Sequence, residues 1–201
     1  MKSLTFATRN EHKIKEVNQI LKKFAFPPQP AISVTGLQAL NCFDELPETG
    51  STIAENAAQK AQFVFDKFGV DCFAEDTGLF IDALDGRPGV DTAHYAGPER
   101  DAQKNMDKVL RELTGVRNRS ARFKTVMALM TNRRLHFFEG LVEGSILHQK
   151  SGIGGFGYDP IFTPTTSHLS FAQLTAEEKN KISHRYRALV KMIRFLTFSS
   201  K

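Results

Sequence analysis

Cysteine is scarce in this chain, and the two that occur, Cys42 and Cys72, sit in apolar or strand-like surroundings with no CxxC pairing. That excludes a disulfide framework and points to structural thiols in a reducing compartment. The six histidines lack zinc-type spacing, which removes a structural zinc module. No apolar run approaches the roughly 20 residues of a membrane span. The opening MKSLTFATRN reaches polar residues too early for a secretory signal. Internal repeats are missing, as is any stretch rich enough in Gly, Pro or Ser to serve as a linker. The expectation is a soluble, cytoplasmic protein with a single domain over residues 1–201.

What is present supports a folded, anion-binding protein. A chain of 201 residues, 41% hydrophobic, can bury one sizeable core or two small lobes. The 27 Lys and Arg outnumber the 22 Asp and Glu, giving a net charge of +5. That balance favours an anionic ligand without choosing between nucleotide and nucleic acid. A nucleic-acid module would show a basic stripe with exposed stacking aromatics. Here the aromatics fall mostly at apolar periodic positions, so the chain is expected to bind neither nucleic acid nor membrane.

The apolar spacing predicts a mixed α/β order. Residues 3–7 read as a strand, and Ile14, Val17, Leu21 and Phe24 recur at helical spacing before a Pro-rich breaker at residues 26–30. Ile32 to Val34 is a second strand, followed by a polar loop to Gly50. Ile53, Ala57, Val64 and Phe68 mark a helix stopped by Gly69. VDCFAEDTGLFIDAL reads as a buried strand that reaches an acidic turn at Asp76-Thr77-Gly78 and then a second short strand. A long loop leads to a helix with Met106, Val109, Leu110 and Leu113. Residues 119–130 and 135–146 form a long hairpin. Thr175 and Glu178 make a capping box. One last helix carries Ile182, Tyr186, Leu189, Ile193 and Leu196.

Four stretches carry chemistry. In ATRNEHK, Asn10 as N-cap leaves Lys13 in the first helical turn, a poor place for a cation; an anion would relieve the conflict, so Thr8, Asn10 and Lys13 read as a phosphate cradle. In CFAEDTGLF, Glu75 and Asp76 follow an apolar strand and point to opposite sides of it. Carboxylates at such a strand end are placed to hold Mg²⁺, with Glu48 as a further ligand. LTAEEKNKISHRYRAL gathers Lys179, Lys181, His184, Arg185 and Arg187, with Ser183 available as an N-cap. In SGIGGFGYDPIF, Gly152 to Gly157 has the spacing of a dinucleotide fingerprint, but Pro160 and the short strand at residues 161–164 leave no helix for a pyrophosphate. These glycines call for another use.

Taken together, the stretches resemble the inosine triphosphate pyrophosphatase family. ATRNEHKIKEV is similar to its T-x-N-x-x-K, PETGSTIAENAAQKA to its E-T-G-x-T-x-x-E-N-A-x-x-K-A, and AEDTGLFIDALDGRPGV to its acidic D-[ST]-G-L segment. GGFGYDPIF and EEKNKISHRYRAL resemble its base-binding loop and closing S-H-R helix. The resemblance runs through nearly the whole chain and implies an α/β fold: a long central sheet flanked by two lobes, with the active site in the cleft between them. It implies a homodimer, Mg²⁺, and hydrolysis of the purine nucleoside triphosphates ITP, dITP and XTP to monophosphate and pyrophosphate. By the same likeness Asp76 is the catalytic carboxylate and metal ligand, with Glu48 as second ligand. Thr8, Arg9, Asn10, Glu11, His12 and Lys13 hold phosphates, with Thr77 nearby and Lys60 as a further phosphate contact. Phe156, Gly157, Tyr158 and Asp159 surround the purine, and Lys179, His184 and Arg185 complete the pocket. The purine motif argues against a related enzyme acting on modified pyrimidine nucleotides. Arg9 stands where the family commonly has Gly, Glu75 where Asp is frequent, His94 where Arg is common, and Pro47 where many relatives have a second Glu.

Overall fold

The structure, a computed structural model, describes residues 2–23 and 32–198. Phe24 and the breaker expected at residues 26–30 lie outside the described residues. In order come β1 (Lys2–Phe6), α1 (Glu11–Lys23), β2 (Ile32–Gly36), α2 (Ile53–Phe68), β3 (Cys72–Ile81), β4 (Pro88–Gly89), α3 (Ala102–Glu112), β5 (Ser120–Thr131), β6 (Arg134–Ile146), β7 (Phe162–Pro164), α4 (Ala176–Ile182) and α5 (His184–Phe198). The strands join one sheet in the order β2-β1-β3-β5-β6-β7, with β4 paired to β3. The mixed α/β class with a long central sheet is therefore the one adopted. Among the described residues no helix is long and apolar enough to cross a membrane.

The chain gathers into two compact units. The first takes the residues up to Asp76, Thr125–Gly140, and everything from Arg185 onward; the second takes Thr77–Lys124 and Leu141–His184. Strands β3, β5 and β6 each pass from one unit to the other part-way along their length.

In the first unit, β1 lies between β2 and β3 and is parallel to both. Its strands are covered on both faces, and the two-residue period of a strand decides which side chain goes where. Leu4 and Phe6, Phe73, and Met127 and Leu129 pack with Val17 and Ile20 of α1 and with Ala188, Leu189, Met192, Ile193 and Leu196 of α5. Their neighbours of opposite parity, Cys72 and Ala74 with Ala128 and Met130, pack with Ala57, Ala61 and Val64 of α2. Both cysteines are buried and free, as their surroundings predict. Burial, seconded by Asp71, pushes the Cys72 thiol up to about 12, which suits an inert packing group.

The second unit has its own core, built from Leu79, Ile81, Met106, Val109, Leu113, Phe123, Val142, Tyr158, Phe162 and Phe171 among others. Strand β7 pairs antiparallel with the end of β6. Asp101 caps α3 by accepting the N–H groups of Gln103 and Lys104.

Local expectations fared unevenly. Asn10 does cap α1, its Oδ1 accepting the Lys13 N–H at 3.2 Å. Thr175 and Glu178 form their capping box, and Thr52 and Glu55 form a second one at the start of α2. The hairpin closes through Asn132 and Arg133, both with positive φ, the signature of a two-residue type I′ turn. The acidic turn at residues 76–78 does not form: β3 runs through it without interruption. Gly78 is there because β4 comes close, and a Cβ would lie 2.6 Å from the Gly89 carbonyl oxygen. The single closing helix is two helices, broken where buried Ser183 takes an extended conformation (ψ 156°).

Candidate active site

Strand parity separates the two acids of β3. Glu75 shares parity with Phe73 and faces α1 and α5; Asp76 shares parity with Cys72 and Ala74 and faces α2. Two ionic clusters in the first unit follow from this.

Around Glu75, Arg185 from the first turn of α5 donates Nε at 2.8 Å and a terminal nitrogen at 2.6 Å to the two carboxylate oxygens, a fork-to-fork pair. Its other terminal nitrogen donates to Glu16 of α1. Lys13, one turn before Glu16, lies 3.1 Å from Glu75. Glu75 and Arg185 are fully buried. Burial alone would raise the carboxyl; the Arg185 guanidinium, then Lys13, overrule it and hold Glu75 well below the usual carboxylate range. Burial likewise lowers Lys13, against the pull of Glu75. The anion that the Lys13 position calls for thus comes from within the chain.

Around Asp76, Lys60 of α2 reaches both Glu48, at 2.5 Å, and Asp76, at 3.3 Å. Asn56, one turn earlier, donates to the second Asp76 oxygen at 3.3 Å. Asn56 and Lys60 share the buried face of α2 with Ala57, Ala61 and Val64. The polar residue types on that otherwise apolar face were the readable signal for them; Asn56 was missed, and so was Glu16. Thr8 is buried, its hydroxyl accepting the Asn10 N–H. Arg9, Glu11 and His12 are exposed, and the Arg9 guanidinium donates to the Asp44 carbonyl in the loop that leads to Glu48.

The second unit holds the Gly-rich loop. Gly152, Gly155 and Gly157 have positive φ, and the loop is pinned by Gly154 N–H to the Ala172 carbonyl at 3.0 Å and by Ser170 Oγ to the Ser151 carbonyl at 2.6 Å. Asp159 organises it from beneath: one oxygen accepts the Phe156 N–H and the Lys179 ammonium, each at 2.7 Å. A Cβ on Gly155 would lie 2.1 Å from that oxygen. Lys179 sits beneath the Phe156 ring, 4.8 Å from its centroid. His184 is buried and stacks on Phe123 at 4.7 Å.

The residues expected around a purine therefore differ in what they offer. Phe156 and Gly157 are half-buried. Tyr158 is in the core, its hydroxyl donating to the Thr92 carbonyl at 2.8 Å. Asp159 and Lys179 are buried partners. Arg185 belongs to the first unit, with a carboxylate on each of three nitrogens. The basic run thus disperses: Lys181 and Arg187 are exposed, while Lys179, His184 and Arg185 are buried. Thr77 is half-buried at the start of the second unit.

Among the described residues no group of three or more His, Cys, Asp or Glu side chains is arranged to hold a metal ion. Glu48 and Asp76, drawn together by Lys60, do fit Mg²⁺, which takes one or two carboxylates, keeps several waters and completes its shell with substrate phosphates.

Comparison with known proteins identifies the family. The model of the Ham1 family matches residues 4–195. A dITP/XTP pyrophosphatase of Flavobacterium johnsoniae is 44% identical over 194 residues, 96% of this chain and 97% of that protein. The solved structure of the Staphylococcus aureus Ham1 protein superposes with a TM-score of 0.86 at 33% identity, covering 100% of both chains. That of a Coxiella burnetii HAM1 protein gives 0.86 at 35% identity, over 98% of this chain and 99% of the other.

Proposed function

Because the chain belongs to the Ham1 family, we propose that it hydrolyses the deaminated purine nucleoside triphosphates ITP, dITP and XTP to the monophosphate and pyrophosphate, clearing aberrant purines from the nucleotide pool. The observation that carries this reading is the Asp76 cluster: a carboxylate held by Asn56 and Lys60, with Glu48 across the same ammonium.

Asp76 orients and deprotonates the water that attacks the α-phosphorus. Thr8, Arg9, Asn10, Glu11 and His12, with Lys13, Lys60 and Thr77, form the phosphate side. In the two ionic clusters Lys13, Lys60 and Arg185 face Glu16, Glu48, Glu75 and Asp76, so no surplus positive charge awaits a triphosphate. A cation arriving with the substrate would suit that balance, and Asp76 and Glu48 would hold it. Bound Mg²⁺ supplies neutralisation of phosphate charge. Phe156 and Gly157 offer the purine a face and a close backbone approach, supported by Asp159, Lys179, Tyr158 and His184 from below. For Arg185, a role exerted through Glu75 and Lys13 accords better with its burial than direct reading of a base. A cytoplasmic homodimer is part of the same proposal, and gel filtration with light scattering tests its stoichiometry.

The decisive experiment is a nucleotide panel with product identification. ITP and XTP should be turned over far above GTP, and GTP at or above ATP, because a pocket built on donors to the 6-keto group loses their acceptor with adenine. Monophosphate and pyrophosphate should appear together, and chelation should stop the reaction. Diphosphate and orthophosphate as first products would overturn the assignment.

A further inference from the structure

Lys60 occupies an unusual place for a lysine. It lies on the buried face of α2, its side chain is 6% exposed, and its ammonium sits between two carboxylates at 2.5 and 3.3 Å. Without a cation there, Glu48 and Asp76 would face each other as like charges in a partly buried setting, which is costly. A lysine ammonium relieves that with one charge where a divalent ion would supply two.

We propose that Lys60 is a resident stand-in for the divalent cation, holding Glu48 and Asp76 ready in the ligand-free protein and transferring its ammonium to the phosphates when the two carboxylates take the metal. This rests on the metal-dependent reading of the site given above. The flexible four-carbon stem of a lysine permits such a move, and its compact ammonium suits both partners. The consequence is thermodynamic coupling. Without nucleotide, an ammonium displaced from Glu48 and Asp76 gives up both ion pairs with no phosphate to receive it, so metal binding is opposed. With nucleotide bound, the phosphates receive it. Metal and nucleotide must then strengthen each other's binding by the same factor. Direct contact between metal and phosphate contributes part of that factor, and the part carried by Lys60 is the part a substitution at this position removes.

The test is Mn²⁺ binding to the full chain, followed by electron paramagnetic resonance, for wild type and Lys60→Gln, with and without the non-hydrolysable α,β-methylene analogue of ITP. Nucleotide-free Lys60→Gln should bind Mn²⁺ more tightly than nucleotide-free wild type, within the range of about 5–150-fold typical of coupling between sites. The enhancement by the analogue should shrink by a matching factor. Equal or weaker Mn²⁺ binding by the nucleotide-free variant overturns the stand-in role while leaving the metal site intact. Failure of both proteins to bind Mn²⁺ even with the analogue overturns the metal-dependent reading and the stand-in with it. Should Lys60→Gln not fold, wild type answers by itself. Acylation of Lys60 by an amine-reactive ester, mapped by peptide mass spectrometry, should rise on adding Mn²⁺ alone, and unchanged reactivity counts against the exchange.

Discussion

Adjacent residues of β3 have different work because a strand sends neighbours to opposite faces. Glu75 is enclosed by Arg185 and Lys13, whereas Asp76 keeps partial exposure and looser partners, Asn56 and Lys60 each at 3.3 Å. A group that must exchange protons with water needs the second environment, which is why Asp76 rather than Glu75 is the carboxylate proposed as the base. Asp76→Asn preserves shape and removes the base and one metal-binding charge. Its kcat on ITP should fall by about 10²–10⁴-fold, with thermal melting close to wild type. Near-normal turnover in a folded variant removes Asp76 from that role. The pairing of Lys13 and Lys60 with internal carboxylates was not legible in the sequence. Charge type and helical position could be read for Lys13 and Lys60, but the carboxylates that meet them, Glu75, Glu48 and Asp76, come from segments brought near only by the fold.

At the scale of elements, what the sequence discloses is what local chemistry decides. The hairpin of β5 and β6 was legible from two β-prone runs around four polar residues, and the caps at Asn10 and Thr175 from side chains that satisfy backbone N–H groups. The turn expected at Asp76-Thr77-Gly78 failed because residue preference for turns gives way when a partner strand needs room, which is how Gly78 is used against Gly89. The Gly-rich loop, proposed above to hold the base, shows the same logic. Gly155 has φ +71°, and a Cβ there would press on the Asp159 oxygen that holds both Phe156 N–H and Lys179. Gly155→Ala should displace that carboxylate and loosen the support of Phe156. Losing hydrogen bonds to a charged group costs about 1.5–3 kcal/mol, so KM for ITP should rise roughly tenfold or more with kcat much less affected. An unchanged KM would show that the carboxylate does not set the loop for the base.

At the scale of the molecule, the boundaries of the two units were hidden because they follow no linker. The boundaries fall inside β3, β5 and β6 and between His184 and Arg185, where composition does not change. In the first unit, Glu75 links a strand to both helices of one face, through Arg185 of α5 and Lys13 of α1. Removing one partner from a buried pair leaves an uncompensated charge and typically costs about 3–5 kcal/mol, so Glu75→Gln should unfold in urea well before wild type at about pH 7. The difference must also depend on pH in a set direction. The folded-state pKa of Glu75 is depressed, hence its contribution is complete above the unfolded value of about 4.3 and is lost as pH falls through the folded value. Between the two values the unfolded chain binds the extra proton, and stability rises with pH. Other carboxylates titrate alike in both proteins, so the gap between wild type and Glu75→Gln isolates this one group. It should stay constant from about pH 7 to about pH 5 and close progressively below about pH 4. Stability curves that instead run parallel through the acid range would mean that Glu75 is not held as an anion by Arg185 and Lys13, and that what the substitution removes is packing rather than charge.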